Sequence, residues 1–117
     1  MTIRRSELDA GRVDLSEVAT GRRLAPVHPG SILRDEYLEP LGLSVYALAG
    51  AIKTSRSRLN DIVLGRRAIT TDTALRLARY FGTSPEFWIT LQTRHDLEVA
   101  NRTLRKQIER EVSPRAA

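Results

Sequence analysis

Ser55, Arg56, Ser57, Arg58, Asn60 and Asp61 crowd into about two helical turns of sequence. Their chemistry is hydrogen bonding rather than bond making. Arginine pairs bidentately with the edge of guanine, asparagine with adenine, and serine with several bases. Arg66 and Arg67 follow directly, and Ser44, Lys53 and Thr54 precede; these five suit phosphate oxygens, which need only a donor or a cation. Covalent chemistry has no comparable constellation. The chain has two histidines, and His95 is adjacent to Asp96. On a helix such neighbours diverge by about 100° and do not converge on one substrate atom. No nucleophile–base pair, glycine-rich phosphate loop or metal-ligand spacing is visible, so the sequence reads as a non-enzyme with no cofactor. His28 is better suited to capping or packing at a domain edge than to ligation, because no acid, cysteine or second histidine stands at metal-ligand spacing from it.

Two short helices must position these side chains. Ser44 offers a hydroxyl to an orphan backbone N–H and is expected to cap the first. Leu48, Ala49 and Ile52 then form one apolar face. The pattern breaks at Lys53-Thr54-Ser55, where Thr54 or Ser55 is expected to cap the second helix. Leu59, Ile62 and Val63 repeat the helical spacing, and Gly65 follows as a left-handed C-terminal cap would require. Two helices, a tight turn and facing apolar stripes make a helix-turn-helix over residues 44–67. A recognition helix reads bases mainly from its N-terminal residues, which here are Ser55 to Arg58.

A solvated surface helix would also carry such charges. The distribution of charge argues against that. Between Ser44 and Tyr80 stand Lys53, Arg56, Arg58, Arg66, Arg67, Arg76 and Arg79 against Asp61 and Asp72 alone. Their net of +5 equals the formal net charge of all 117 residues, so the rest of the chain is neutral. Basic charge confined to the helix-turn-helix is the footprint of a surface for an anionic polymer.

The length suits one small domain with a core of its own. Absence of cysteine excludes a disulfide scaffold and a thiolate zinc site, and fits a cytoplasmic protein. The longest apolar run falls far short of a membrane span, and the N-terminus lacks the apolar stretch of a secretory signal.

Residues 1–27 are expected to form a partly ordered N-terminal arm. Its five arginines face four acids, its apolar residues are sparse, and Gly11, Gly21 and Pro26 interrupt it; Asp14 to Glu17 is the one place for a short helix. A helix from Pro29 or Ser31 to Glu39 follows, ended by Pro40. Ile69 is expected to plug the core beside a capping threonine, Thr70 or Thr71. The next helix should span residues 72–81, with Ala74, Leu75, Leu77, Ala78 and Phe81 inward and Gly82 as its stop. Thr83-Ser84-Pro85-Glu86 starts another, carrying Phe87, Trp88 and Leu91 to the core. A separate, highly charged helix is expected over residues 95–112. Its thin stripe of Leu97, Leu104, Ile108 and Val112 suits a partner helix or dimer seam better than a monomer core. The organisation expected is an arm over 1–27, the helix-turn-helix domain over 28–93 and a helical extension and tail over 94–117.

Four segments in this order resemble the HigA (VapI-like) antidote family of Xre/Cro-like helix-turn-helix repressors. They are HPGSILRDEYLEPLGLS from His28, SRSRLNDIVLGRRAIT from Ser55, DTALRLARYFGTSPEFW from Asp72 and LQTRHDLEVA from Leu91. The resemblance implies an all-α, five-helix, lambda-repressor-like fold whose second and third helices read DNA. It implies a homodimer acting as antitoxin of a type II toxin–antitoxin pair. Such a protein neutralises a HigB toxin, a small RelE-like ribonuclease that cuts messenger RNA, and represses its own operon at an operator in double-stranded DNA. A stand-alone Xre-type transcriptional repressor without a toxin is the alternative. Matched to the family's positions, Arg56, Ser57 and Asp61 face bases and Asn60 adjoins them, while Ser44, Arg66 and Arg67 face phosphates. Two residues depart from the family pattern. Val45 stands where many relatives place glutamine, and Lys53 where the turn often has glycine, which for a non-glycine residue implies strain.

Overall fold

The computed structural model describes residues 26–116, and all regular structure among them is helical. The expected arm, with its short helix near Asp14, lies outside the described residues except for Pro26 and Val27.

The first helix, α1, is continuous but changes pitch. It consists of Pro29–Ile32, a wider π-helical run Leu33–Leu38, and Glu39–Leu41. Pro40 therefore does not end it, contrary to expectation. Proline in an α-helix lacks a donor and crowds the carbonyl four residues back. Here the turn before it is widened, with the Glu39 N–H bonded to the Arg34 carbonyl five residues earlier, and the ring is accommodated inside the helix. Gly42, left-handed at φ 61°, makes the actual stop. At the other end the His28 ring accepts the Gly30 N–H at Nδ1, 2.8 Å away, so His28 is a cap as expected. Gly30 is required for a different reason: a Cβ there would collide with the carbonyl oxygen of Ile62.

Helix α2 spans Val45–Ile52 and α3 spans Arg56–Val63. Helix α4 spans Thr71–Phe81, capped by Thr70. Of its expected inward set, Ala74, Leu77 and Ala78 are buried and Phe81 partly so, but Leu75 is 53% exposed. Thr73 takes a core position instead, its backbone N–H bonded to the Thr70 hydroxyl.

Helix α5 spans Pro85–Glu111 without interruption. One helix forms where the sequence suggested two, because nothing from Glu86 to Ser113 is glycine or proline and the backbone ladder has no reason to break. Ser84 rather than Thr83 is its cap. Thr83 instead accepts the indole N–H of Trp88 at 2.8 Å, which lets the tryptophan sit fully buried with its polar atom satisfied.

The core gathers Leu33, Leu48, Leu59, Ile62, Leu77 and Trp88, all fully buried. Tyr37 of α1 meets Phe81 and Trp88 with ring centroids 4.8 and 5.2 Å apart. Ile69 plugs the core as expected, and its backbone N–H donates to Gln92 Oε1 at 2.8 Å. Gln92 in turn donates to Asp96, so the last buried turn of α5 is tied to the loop after α3.

Candidate nucleic-acid interface

The caps of α2 and α3 follow from local sequence. Ser44 Oγ accepts the Ala47 N–H and Ser55 Oγ accepts the Arg58 N–H, each at 3.0 Å. Between them the chain reverses at Lys53, the one non-glycine residue with positive φ among those described (φ 60°, ψ 46°). The strain expected at this position is present, at a cost of about 1–2 kcal/mol for a residue with a Cβ. The Arg76 guanidinium bonds the Ile52 carbonyl at 2.9 Å and ties the end of α2 to α4. Because α2 and α3 both turn Leu48, Ala49, Ile52, Leu59, Ile62 and Val63 inward, the opposite face of α3 is left to solvent.

That face carries Arg56, Ser57, Arg58 and Asn60, all exposed. Asp61 sits at its edge, half-buried, with Arg67 3.8 Å away. The end of α3 is closed by paired bonds, Gly65 N–H to the Ile62 carbonyl and Arg66 N–H to the Asp61 carbonyl, with Gly65 at φ 78°. This Schellman arrangement fixes where Arg66 and Arg67 leave the helix; both are exposed. Ser44, Lys53 and Ser55 are exposed and Thr54 is half-buried. Both serines already accept a backbone N–H, so what remains of each hydroxyl is its donor and one acceptor site. The expected base-facing residues thus share one helix face, and the expected phosphate-facing ones flank its two ends.

Tyr46 joins this surface without having been singled out in sequence. Its ring lies beneath Arg56, with the guanidinium carbon 4.8 Å from the ring centre. It lines a shallow groove with Val45, Arg56, Ser57 and Asn60. The available signal was an aromatic on the polar side of α2, two residues after the Ser44 cap.

His28 meets the same region from behind. Its ring packs edge-on against His95, centroids 4.8 Å apart, and lies against Gly65. Burial, then His95, push the imidazole below its ordinary value of 6.5, against opposing effects of Asp96 and a hydrogen bond to the Arg67 backbone.

Comparison with known proteins agrees with this architecture. A helix-turn-helix family model matches residues 35–88. Virulence-associated protein I of Dichelobacter nodosus is 52% identical over 84 residues, covering 71% of this chain and 78% of that protein. Antitoxin HigA of Pseudomonas aeruginosa, solved with the higBA promoter, is 48% identical with a TM-score of 0.75, covering 78% of this chain and 99% of that one. An addiction module antidote protein of the HigA family from Coxiella burnetii is 43% identical with a TM-score of 0.74, covering 79% and 100%. On these grounds of sequence and fold together, the chain belongs to the HigA (VapI-like) family of helix-turn-helix antidote proteins.

Proposed function

We propose that this protein is the antitoxin of a type II toxin–antitoxin pair, binding its own operator in double-stranded DNA and neutralising a HigB/RelE-like ribonuclease toxin. The observation that carries the reading is the exposed basic face of α3, held by serine caps in a chain 48% identical to a HigA antitoxin solved with its promoter. Ser55, Arg56, Ser57, Arg58, Asn60 and Asp61 are the base-reading set. Ser44, Lys53, Thr54, Arg66 and Arg67 hold phosphates and fix the register. A homodimer presents two such faces to half-sites about 34 Å apart, with the exposed Leu97, Leu104 and Ile108 of α5 as its seam. Among the described residues no helix is long and apolar enough to cross a membrane.

Co-expression with the adjacent reading frame tests the reading. The neighbour alone should arrest growth, and this chain should restore growth and co-purify with it. The full chain should also retard a duplex from upstream of the gene pair more strongly than a shuffled duplex. A harmless or non-binding neighbour with DNA selectivity retained would leave a stand-alone repressor. Loss of both would sink the proposal.

A further inference from the structure

We propose that Tyr46 is a positioning residue for Arg56, holding its guanidinium so that a fixed fork, rather than a swinging side chain, meets a base edge; this rests on the DNA-reading function proposed above. Tyr46 is 68% exposed, more than any other large hydrophobic side chain among the described residues. A ring left that far in water contributes little to the core, and what it contributes depends on what it touches. It touches Arg56, with 4.8 Å from guanidinium carbon to ring centre, within the range of a cation–π contact.

The two residues are ten positions apart. They meet because the Lys53 turn folds the start of α3 back beside the start of α2. Val45, at the first position of α2, is apolar and offers Arg56 no hydrogen bond. No carboxylate anchors Arg56 among the described residues, whereas Arg67, Arg76 and Arg105 each have one within 4 Å. The aromatic face is therefore the anchor of Arg56. A cation–π contact draws on the charge of the guanidinium and takes up none of its N–H donors, and those donors are what pair bidentately with a base. An arginine already restrained loses less rotamer freedom on binding. Ser57 and Asn60 line the same groove, so the fixed fork stands beside the other base-reading side chains.

The test uses the full chain and duplexes selected from a random library by the wild-type protein, with a shuffled duplex as reference. Tyr46→Leu should bind the selected duplex about two- to twelvefold more weakly, the cost of immobilising one long side chain on binding, and the shuffled duplex nearly as before. Tyr46→Phe keeps the ring face and should stay within about twofold of wild type. In an Arg56→Ala background, Tyr46→Leu should cost nothing further, because the partner it positions is gone. Unchanged melting of each variant would confirm that the fold is intact. Equal losses for Tyr46→Phe and Tyr46→Leu would overturn the proposal in favour of a direct contact by the hydroxyl. A loss that persists in the Arg56→Ala background would overturn it in favour of an independent role. Undiminished selectivity in Tyr46→Leu would overturn it outright while leaving DNA reading in place. If the wild type enriches no sequence, DNA reading itself falls and the role of Tyr46 falls with it.

Discussion

The two halves of α5 are one helix in two environments. From Phe87 to Gln92 four of six side chains are buried, and Trp88 is sealed completely. From Leu97 onward Leu97, Leu104 and Ile108 are 66%, 43% and 50% exposed. The backbone does not register the change. What differs is what each half can be used for. The first half is consumed by the core and holds the loop after α3 in place. The second projects about 28 Å beyond the last core residue, supported by i,i+4 pairs such as Arg102–Glu98 and Arg105–Glu109, each worth about 0.2–0.5 kcal/mol. Its helicity is carried by propagation from packed turns that have already met the cost of nucleation. An element can thus be built by the core at one end and offered to a partner at the other.

Substitutions along this line should show a falling gradient. Trp88→Ala removes the largest fully buried side chain and should destabilise the monomer by about 3–5 kcal/mol in denaturant unfolding. A loss under 1 kcal/mol would mean that the first half of α5 is not the core element described. At the boundary, Gln92→Leu keeps the bulk but leaves the buried Ile69 N–H without its acceptor, which should cost about 1–3 kcal/mol. An unchanged midpoint would show the loop to be held by something else.

His28 tests the boundary from outside, since its ring rests on His95. His28→Ala should cost about 1 kcal/mol through the lost cap. The pH dependence has a defined sign. The folded-state pKa lies below 6.5, so the unfolded chain binds the proton more readily, and stability is fully present above pH 6.5 and lost as pH falls through the folded value. A protonated ring also cannot accept the Gly30 N–H. Melting temperature should therefore fall on acidification below pH 6.5, and His28→Asn, which caps without titrating, should flatten that part of the profile. A profile as steep as wild type would show that His28 is not the source of the pH dependence.

The smallest effect on the monomer belongs to the exposed half. Leu104→Lys should shift monomer stability by less than about 0.5 kcal/mol yet weaken self-association in sedimentation. A large loss of monomer stability would erase the contrast between the halves. Unaltered association would remove the seam from this face.

Much of this was legible beforehand for a specific reason. Ser44, Ser55, Thr70 and Ser84 cap helices through bonds to residues three positions away, and the inward stripes of α2 and α3 repeat at three and four. Such signals are local, so the helix-turn-helix and its exposed basic face could be read from neighbours in sequence. The strain at Lys53, left-handed at φ 60°, was legible only through the family resemblance, whose turn often has glycine at this position. Pro40 misled because its effect depends on the pitch of the turn before it, and the widened run Leu33–Leu38 departs from the 3.6-residue period on which the expectation rested.

The sequence by itself determined the starts of the helices capped by Ser44, Ser55, Thr70 and Ser84, the sign and place of the charge, and the hydrogen-bonding character of α3, all through interactions spanning a few residues. Tertiary structure alone decided that Leu75 faces water while Thr73 is buried, that Gln92 serves Ile69 from 23 residues away, that His28 leans on His95, and that Tyr46 carries Arg56. Each of these depends on how helices distant in sequence come to lie against one another, and packing geometry of that kind is a property of the whole core rather than of any stretch of chain.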